Sequence, residues 1–493
     1  MRFCGLDVGT TGVKALVYDE KGSPLSSAYR AYDIDVADDG TRLLRAEDLW
    51  KKTKEVFAQA ASAAAPDCLC TGSFGEAFVA LDSAGNIICD PMLFTDRWGE
   101  KEYFEAEKKT SAAEIAEICG LPLSPSYSLS KILYLKEQRP EIYQKIDKIL
   151  LIQDFIDYMF CGERGADYST ACRTMFFDVR KCEWSVPLME KFGLEKEHYS
   201  KPAPMGTVIG NVSRSVIEEL GLKGDIRVIA GGHDQPVNAI GAGLRDCCAV
   251  NSMGTSECIT PIINAMLPSA FTAGRGIPSE PLWEKGKYCC LAYNSTSGLL
   301  IHWFSSMVAG DIESPYVYLD QHMPPEPTRI MVQPYLMGSG TPYMDPGARL
   351  ALTGIDYGTT KFTLFRALIE GLVLDQRLNL SVLAEEQVEV KQIIAVGGGS
   401  KSRPWLQIKA DILEIPVSTL KVKEAGTLGA AILCAAAAGV YGSINEAAAA
   451  MSQISETIEP NLANSDFYAE KFELYRKLRD HVKEESDFAY MQE

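Results

Sequence analysis

A short glycine–threonine turn occurs twice in this 493-residue chain, about half a chain apart. The apolar stretch 3–9 has β character and runs into the turn 9–12 (Gly-Thr-Thr-Gly), after which residues 13–18 alternate again. Residues 249–259 repeat the order of strand, Gly-Thr turn and strand. Solenoid repeats recur every ~20–50 residues, so one echo at this separation predicts two duplicated halves, each beginning with a β-hairpin.

The segments between the hairpins alternate between strand and helix patterns. Strands are predicted over 25–32, 77–81, 226–229 and 393–396. Helices are predicted over 47–65, 97–109, 111–119, 128–138, 140–146, 235–243, 403–413 and 425–438. Such alternation is typical of an α/β fold. Because no low-complexity linker separates the halves, residues 1–245 and 246–493, we expect them to pack around a shared cleft.

Charge and apolar content exclude several classes of partner. The 48 Lys and Arg residues against 66 Asp and Glu residues give a net charge of −18, which repels nucleic acid and anionic lipid. The longest apolar run, 430–441, is shorter than the ~20 residues of a membrane helix. The first residues do not form a secretory signal, and none of the 14 cysteines has the C-x-x-C spacing. We therefore expect a cytoplasmic protein with reduced thiols and no nucleic-acid or membrane partner.

The two hairpin turns are candidate phosphate sites. Backbone N–H groups and the hydroxyls of Thr10 and Thr11 can approach phosphate oxygens, and Gly254 and Thr255 offer the same groups in the second half. Asp7 precedes the first turn and can hold Mg²⁺ through water. Ordinary glycine turns are the alternative for each hairpin taken alone.

A third glycine-rich turn, Gly-Gly-Gly at 397–399, follows a predicted strand. Glycine permits close backbone approach to a flat ligand, although such a run is often only a turn. No G-x-x-x-x-G-K-[ST] segment occurs in the sequence, which excludes the P-loop class of nucleotide site.

Asp234 follows the strand 226–229 in the context Gly-Gly-His-Asp. An acid at the end of a strand can project into a cleft as a general base, whereas a helix N-cap is the common structural role of Asp in this place. We expect the adjacent His233 to be structural, because neighbouring side chains need not face the same site.

These segments resemble the FGGY carbohydrate kinase family, which includes xylulokinases, glycerol kinases, fuculokinases and ribulokinases. The resemblance extends from residue 3 to about residue 440, in the family's order, with Tyr134 and Thr363 departing from the two family signatures. The matching segments are 7–11, 126–137, 231–234, 252–256, 335–346, 397–399 and 426–431.

The resemblance implies two ribonuclease-H-like (actin-type ATPase) domains around a central cleft. It implies transfer of the γ-phosphoryl group of magnesium-ATP to a hydroxyl of a small sugar or polyol, with Asp234 as catalytic base and Asp7 as the metal residue. The sugar would bind mainly to residues 1–245 and the nucleotide mainly to residues 246–493. The implied nucleotide contacts are Thr10, Thr11, Lys14, Gly254, Thr255, Gly298, Gly398 and Gly399.

The implied sugar contacts are Glu76, Arg97, Asp234 and Gln235. Glu76 matches a sugar-binding Glu of glycerol kinases, but the preceding Arg of those enzymes is Gly75 here, which argues against strict glycerol specificity. A solvated acid at a strand edge is the alternative for Glu76. A ketopentose, a deoxyketohexose and a tetritol all stay open as acceptors.

Two other functions use the same fold. One is a non-catalytic nucleotide switch of the actin or heat-shock chaperone type, which also carries a D-x-G-T-T-like hairpin. The other is a sugar sensor that has lost turnover. Asp234 in its Gly-Gly-His-Asp context and the lack of a long C-terminal substrate domain favour the kinase. A homodimer is compatible with the composition.

Overall fold

The computed structural model describes residues 1–36, 42–93, 96 and 98–490, with side chains to residue 478. Six strands form a sheet in the order β3-β2-β1-β4-β6-β5. Strands β1 to β3 are antiparallel neighbours, β4 runs parallel to β1, and β6 runs parallel to β4. The strands are β1 (Phe3–Val8), β2 (Gly12–Tyr18), β3 (Pro24–Ala31), β4 (Cys68–Ser73), β5 (Val208–Asn211) and β6 (Arg227–His233).

A second sheet has eight strands in the order β9-β10-β8-β7-β12-β13-β14, with β11 also paired to β8. Here β7 and β8 form a hairpin, β12 runs parallel to β7, and β13 runs parallel to β12. The strands are β7 (Cys248–Met253), β8 (Glu257–Ile263), β9 (Ser279–Pro281), β10 (Tyr288–Cys290), β11 (Ala292–Asn294), β12 (Gln392–Val396), β13 (Val417–Leu420) and β14 (Ile454–Ile458). Both sheets thus join a hairpin to parallel strands, which confirms the predicted duplication and the α/β class.

Helices cover both sheets and the connections between them. The helices are α1 (Ala46–Ala63), α2 (Glu100–Glu107), α3 (Ala112–Cys119), α4 (Ser128–Gln138), α5 (Pro140–Tyr143), α6 (Ile152–Cys161), α7 (Tyr168–Cys172), α8 (Val186–Phe192), α9 (Arg214–Glu219), α10 (Asp234–Gly241), α11 (Ser269–Arg275), α12 (Ser297–Ala309), α13 (Pro315–His322), α14 (Lys361–Glu385), α15 (Arg403–Leu413), α16 (Ala425–Ala437), α17 (Ile444–Met451) and α18 (Ser465–Tyr490). The predicted helices 128–138 and 403–413 are confirmed to the residue. A separate three-stranded sheet has Phe78–Leu81 in the middle, paired with Ile87–Cys89 on one side and with Lys148–Leu151 on the other.

Helices α10 and α16 pack against each other between the two sheets. The buried face of α16 packs on the first sheet, where Leu428 and Ile432 join the cluster of Phe3, Tyr18 and Ile229. Residues in and after α10 pack on the second sheet in a separate cluster that includes Ala239, Ala242, Leu244, Val250 and Ile394. Helix α16 therefore covers the sheet of the other half of the chain, whereas α10 contacts both sheets, with Val237 and Ile240 in the cluster of the first sheet.

Glycines allow these helices to touch backbone to backbone. A Cβ added at Gly241 would lie 1.8 Å from the carbonyl oxygen of Ala425, and one at Gly429 would lie 1.9 Å from that of Val237. Gly5 of β1 is as close to α16, with 1.9 Å from its added Cβ to the oxygen of Thr427. These contacts confirm that the Ala- and Gly-rich helix 425–437 is built for close packing.

Across the residues that the structure describes, no helix combines the length and the apolar character needed to span a membrane. All 14 cysteines are free, and nine of them are buried.

Candidate active site

The first hairpin ends in a tight turn beside an acidic side chain. The Gly9 N–H donates to the carbonyl oxygen of Gly12 at 3.0 Å, which leaves Thr10 and Thr11 at the tip. Asp7 lies one residue before the end of β1 and pairs with Lys14 across the hairpin. Lys14 Nζ also donates to Glu424 at 2.6 Å, immediately before α16. The first hairpin is thus joined to the start of α16.

The second tip is held by the start of α12. The Gly298 N–H donates to the Gly254 carbonyl oxygen at 3.0 Å, and the Leu299 N–H donates to that of Thr255 at 3.1 Å. A Cβ added at Gly298 would lie 2.3 Å from the Gly254 oxygen, so a larger residue at position 298 would displace this turn.

The glycine run after β12 packs against the residue that precedes the second tip. Gly397 has φ of +88°, and its added Cβ would lie 2.8 Å from the Met253 carbonyl oxygen. An added Cβ at Gly399 would lie 2.8 Å from the end of the Met253 side chain. The structure therefore brings Gly254, Thr255, Gly298, Gly398 and Gly399 together around the end of β7.

Asp234 is the first residue of α10 and directly follows β6. The predicted strand 226–229 is too short: it continues to His233, because Gly232 and His233 pair with β4 after a register shift that follows Ile229. An added Cβ at Gly231 would lie 1.9 Å from the Thr71 carbonyl oxygen, and one at Gly232 would lie 2.6 Å from Asp167 Oδ1. Only glycine fits these two positions of β6. Asp234 follows at the carboxyl-terminal end of the strand.

Two acids approach each other in the cleft. Burial, and after it the charge of Asp7, raise the pKa of Asp234 to about 7 against the lowering effect of Arg173. Burial also raises the pKa of Asp7 to about 6, against the lowering effect of Lys14. A carboxyl group with a pKa near neutrality suits proton transfer at physiological pH.

Gln235, the next residue, contributes an open acceptor. Its Oε1 atom is buried and has no hydrogen-bond partner among the described residues.

Glu76 has an unusual backbone conformation and is held by two contacts. It adopts φ of +63°, and Lys131 Nζ donates to its carbonyl oxygen at 2.9 Å. Its carboxylate forms an ion pair with Arg173. Glu76 is only 8% exposed, so the alternative of a solvated acid at a strand edge is wrong.

Lys131 lies in the first family signature. It is fully buried, burial lowers its pKa to about 7, and it also donates to the Ser126 carbonyl oxygen at 2.8 Å. This signature residue therefore fixes the backbone on both sides of the site.

Arg173 and Glu280 were missed by the sequence reasoning. Arg173 forms ion pairs with both Glu76 and Glu280, and burial lowers its pKa to about 10. A Cβ at Gly75 would lie 2.5 Å from Arg173 Cδ, so the glycine at position 75 makes room for this arginine. No local motif marks either residue, because the cluster joins segments about 100 residues apart in the chain.

His233 is buried and contacts Asp234, so these neighbouring side chains do face the same site, while the expected structural role of His233 stays a prediction. Its Nε2 atom lies 3.2 Å from Asp234 Oδ1, and its Nδ1 atom lies 2.9 Å from Glu280 Oε2. Burial and the charge of Arg173 lower the pKa of His233 well below its ordinary value. Arg97, the remaining predicted sugar contact, lies outside the described residues.

Residues 3–241 match the N-terminal domain of the FGGY family of carbohydrate kinases, and residues 249–438 match its C-terminal domain. The chain belongs to this family. It is therefore a carbohydrate kinase. The resemblance drawn from the seven sequence segments is confirmed.

Two relatives of this FGGY kinase cover nearly its full length. A xylulose kinase of Staphylococcus epidermidis is 26% identical over 496 residues, which span 97% of both chains. An autoinducer-2 kinase of Escherichia coli is 26% identical over 497 residues, which span 96% of this chain and 92% of the relative.

Solved structures show the same fold. A ligand-bound xylulose kinase from Lactobacillus acidophilus has a TM-score of 0.90 at 24% identity, covering 98% of both chains. A gluconate kinase from the same organism has a TM-score of 0.89 at 23% identity, again covering 98% of both chains. The predicted two-domain, actin-type ATPase fold is thus confirmed.

The oxygens around Asp7 fit a magnesium ion. A Cβ added at Gly426 would lie 3.1 Å from Asp7 Oδ2 and 3.2 Å from Asn238 Oδ1, so the two side-chain oxygens converge beside the start of α16. The described residues contain no group of three or more His, Cys, Asp or Glu side chains that could hold a metal. Magnesium usually takes only one or two carboxylates and keeps several waters, so one acid with a nearby amide oxygen suits it.

Proposed function

We propose that this FGGY kinase transfers the γ-phosphoryl group of ATP to a hydroxyl of a neutral sugar or polyol, with Asp234 as the general base. The position and proton affinity of Asp234 support this role most directly. Its charge interacts with that of Asp7, beside the first tip, and with that of Arg173, the ion-pair partner of Glu76, and its pKa of about 7 suits proton acceptance. The domain roles follow the duplicated sheets, with a boundary near residue 245.

The chain would act mainly by positioning, because phosphoryl transfer requires alignment and charge neutralisation more than covalent chemistry. Asp234 would orient the acceptor hydroxyl and take its proton. Backbone N–H groups at Thr10, Thr11 and Thr255 would hold phosphate oxygens. Gly254, whose own N–H donates to the Ser256 carbonyl oxygen at 3.0 Å, would line the phosphates without donating to them. Magnesium, when bound near Asp7, would neutralise phosphate charge. Gly298, Gly398 and Gly399 would lie against the nucleoside, with Lys14 near the phosphates.

The polar atoms of the acceptor side fit hydroxyl groups. Arg173 Nε is buried without a hydrogen-bond partner among the described residues, as is Gln235 Oε1. A sugar hydroxyl both donates and accepts, so an acceptor with several hydroxyls would satisfy this donor and this acceptor together.

The charges of the acceptor side favour a neutral substrate. The guanidinium of Arg173 is matched by two carboxylates, Glu76 and Glu280, so no net positive charge is left for an anionic sugar. Asp234 adds further negative charge when it is ionised. The xylulose kinase relative makes a ketopentose the first candidate, ahead of a deoxyketohexose or a tetritol. A cytoplasmic location and a homodimer stay predictions.

The test is a screen for acceptor-stimulated release of ADP from magnesium-ATP. The panel contains xylulose, ribulose, fuculose, erythritol and glycerol, with gluconate as the anionic comparison. We expect at least one neutral compound to stimulate release, gluconate to be weaker, and Asp234→Asn to abolish the stimulation. Intact ATP binding without stimulation by any acceptor would instead support a nucleotide switch or a sugar sensor.

A further inference from the structure

Glu280 joins the two sides of the acceptor site. It is fully buried at the centre of β9, in the second sheet. One carboxylate oxygen forms an ion pair with Arg173, and the other lies 2.9 Å from His233 Nδ1. Arg173 continues to Glu76, and His233 continues to Asp234. The carboxylate of Glu280 is thus linked through Arg173 to the predicted sugar-binding acid, Glu76. It is linked through His233 to the predicted base, Asp234.

The contacts of His233 determine which ring nitrogen carries its proton. Because the pKa of His233 is well below the ordinary value, the ring is neutral and has one N–H group. Nδ1 faces the carboxylate of Glu280 and therefore carries that hydrogen. Nε2 then presents a lone pair to Asp234 Oδ1 at 3.2 Å. A lone pair can accept a hydrogen bond only from the protonated form of Asp234, which is the form that exists after the hydroxyl proton has been taken.

We infer that Glu280 is a positioning residue for phosphoryl transfer: it holds His233 in the Nδ1–H tautomer, so that Nε2 can accept a hydrogen bond from Asp234 once Asp234 has taken the hydroxyl proton, and it holds Arg173 against Glu76. The inference rests on the proposed function. In the reaction, the acceptor O–H bond breaks as its oxygen bonds to phosphorus, and the proton passes to Asp234. The new Asp234 O–H group donates to His233 Nε2, and no proton moves on to Glu280.

The surroundings keep this arrangement rigid. The His233 backbone N–H donates to Ser169 Oγ at 2.9 Å, and Ser169 in turn donates to Asp167. The charged groups that act on the His233–Asp234 pair are Arg173 and Glu280, together with Asp7, and the Cys258 thiol lies close enough to Asp234 for their charges to interact. A change in the tautomer of His233 can therefore be assigned to Glu280 only when the other groups are left intact.

Nitrogen-15 NMR of the histidine-labelled protein tests the tautomer directly. The chain has five histidines, and His233→Asn identifies the signal that belongs to position 233. We expect a neutral ring with a protonated Nδ1 and an unprotonated Nε2 in the wild type at pH 7.5. In Glu280→Gln the amide can donate to Nδ1, and we expect the proton to move to Nε2. A wild-type ring that is cationic or protonated on Nε2 would overturn the inference.

Kinetics test the consequence for turnover. We expect Glu280→Gln to lower kcat about 10- to 100-fold, because loss of orientation has costs of this order, and to leave the KM for ATP within about twofold. Glu280→Asp keeps the charge and should recover part of kcat. Glu284→Gln, an exposed residue four positions later, is the matched control and should behave as wild type.

The outcomes separate this inference from the proposed function. If no acceptor is turned over by the wild type, the proposed function fails, and the NMR measurement still decides the tautomer. If the wild type is active and folded Glu280→Gln retains its kcat and its His233 tautomer, the positioning role is wrong. If Glu280→Gln does not fold, the wild-type tautomer alone decides, and an Nε2–H ring contradicts the inference.

Discussion

The two hairpin tips have the same backbone arrangement and different chemistry. In each, a three-residue tip joins antiparallel strands, and the first strand has a parallel neighbour. Asp7 stands two residues before the first tip, and Ser252 occupies the corresponding place before the second. The first tip thus has a carboxylate beside it, whereas the second is held by the N–H groups of Gly298 and Leu299. The two turns are thus similar in backbone and differ in side chains. Asp7 gives the first turn the proposed metal role, and the second turn, which lacks an acid at that place, keeps the proposed nucleotide role.

The largest expected effect lies in the first half, at the proposed base. We expect Asp234→Asn to keep the fold and ATP binding while kcat/KM for the acceptor falls by about 10²–10⁴, because an amide cannot accept the hydroxyl proton. Steady-state kinetics and nucleotide binding on the same preparation provide the measurement. More than about a tenth of the wild-type kcat/KM would contradict the assignment.

The next effect tests the difference between the tips directly. We expect Asp7→Asn to reduce kcat at least about 10-fold and to raise the magnesium concentration needed for half-maximal rate, because a carboxylate is lost from the metal site. Ser252→Ala removes the side-chain oxygen at the corresponding position and should change kcat less than about threefold. Equal losses in the two variants would show that the tips are not divided in this way.

The pH dependence should also separate the two sides of the cleft. The pKa of Asp234 is raised to about 7, so the base is protonated and inactive at lower pH. We therefore expect kcat/KM for the acceptor to rise with pH and to level off above about 7, with about a 10-fold loss at pH 6. Binding of a non-hydrolysable ATP analogue should change less than about threefold between pH 6 and pH 8. An acceptor profile that is flat over this range would be inconsistent with Asp234 as the base.

The smallest expected effect concerns the second tip. The added methyl group of Gly298→Ala would lie 2.3 Å from the Gly254 carbonyl oxygen, so the turn must move. We expect the KM for ATP to rise several-fold and the KM for the acceptor to stay within about twofold. Gly274→Ala is the control, because an added Cβ there meets no atom within 4 Å. A larger rise in the KM for the acceptor than in the KM for ATP would contradict the proposed role of the second tip in nucleotide binding.

Local patterns predicted the elements that are built from neighbouring residues. The hairpins, the helices 128–138 and 403–413, and the exit of Asp234 from a strand all follow from short segments of sequence. The extension of β6 to His233 was missed because glycine has a low propensity for strands, and only pairing with β4 makes Gly232 part of the sheet.

The charged cluster shows where local patterns end. Glu76 was predicted from its own segment, but its partner Arg173 and the second carboxylate on that arginine, Glu280, come from segments about 100 and 200 residues later. Neither partner lies in a recognisable motif, and an isolated Arg or Glu is most often a surface residue. Only the fold brings them together, and their burial follows from that assembly.

The packing of α10 and α16 on the two sheets affects any attempt to divide the protein into fragments. A fragment ending near residue 245 would keep the first sheet and α10 but lose α16, so the cluster of Phe3, Tyr18 and Ile229 would lose Leu428 and Ile432 and become partly exposed to water. The complementary fragment would lose α10, which covers Val250 and Ile394. Neither piece would be a self-sufficient folding unit, and each would expose an apolar face that favours aggregation. Mixed during refolding, however, the two pieces carry all the helices needed to cover each other, so complementation should succeed where separate expression fails.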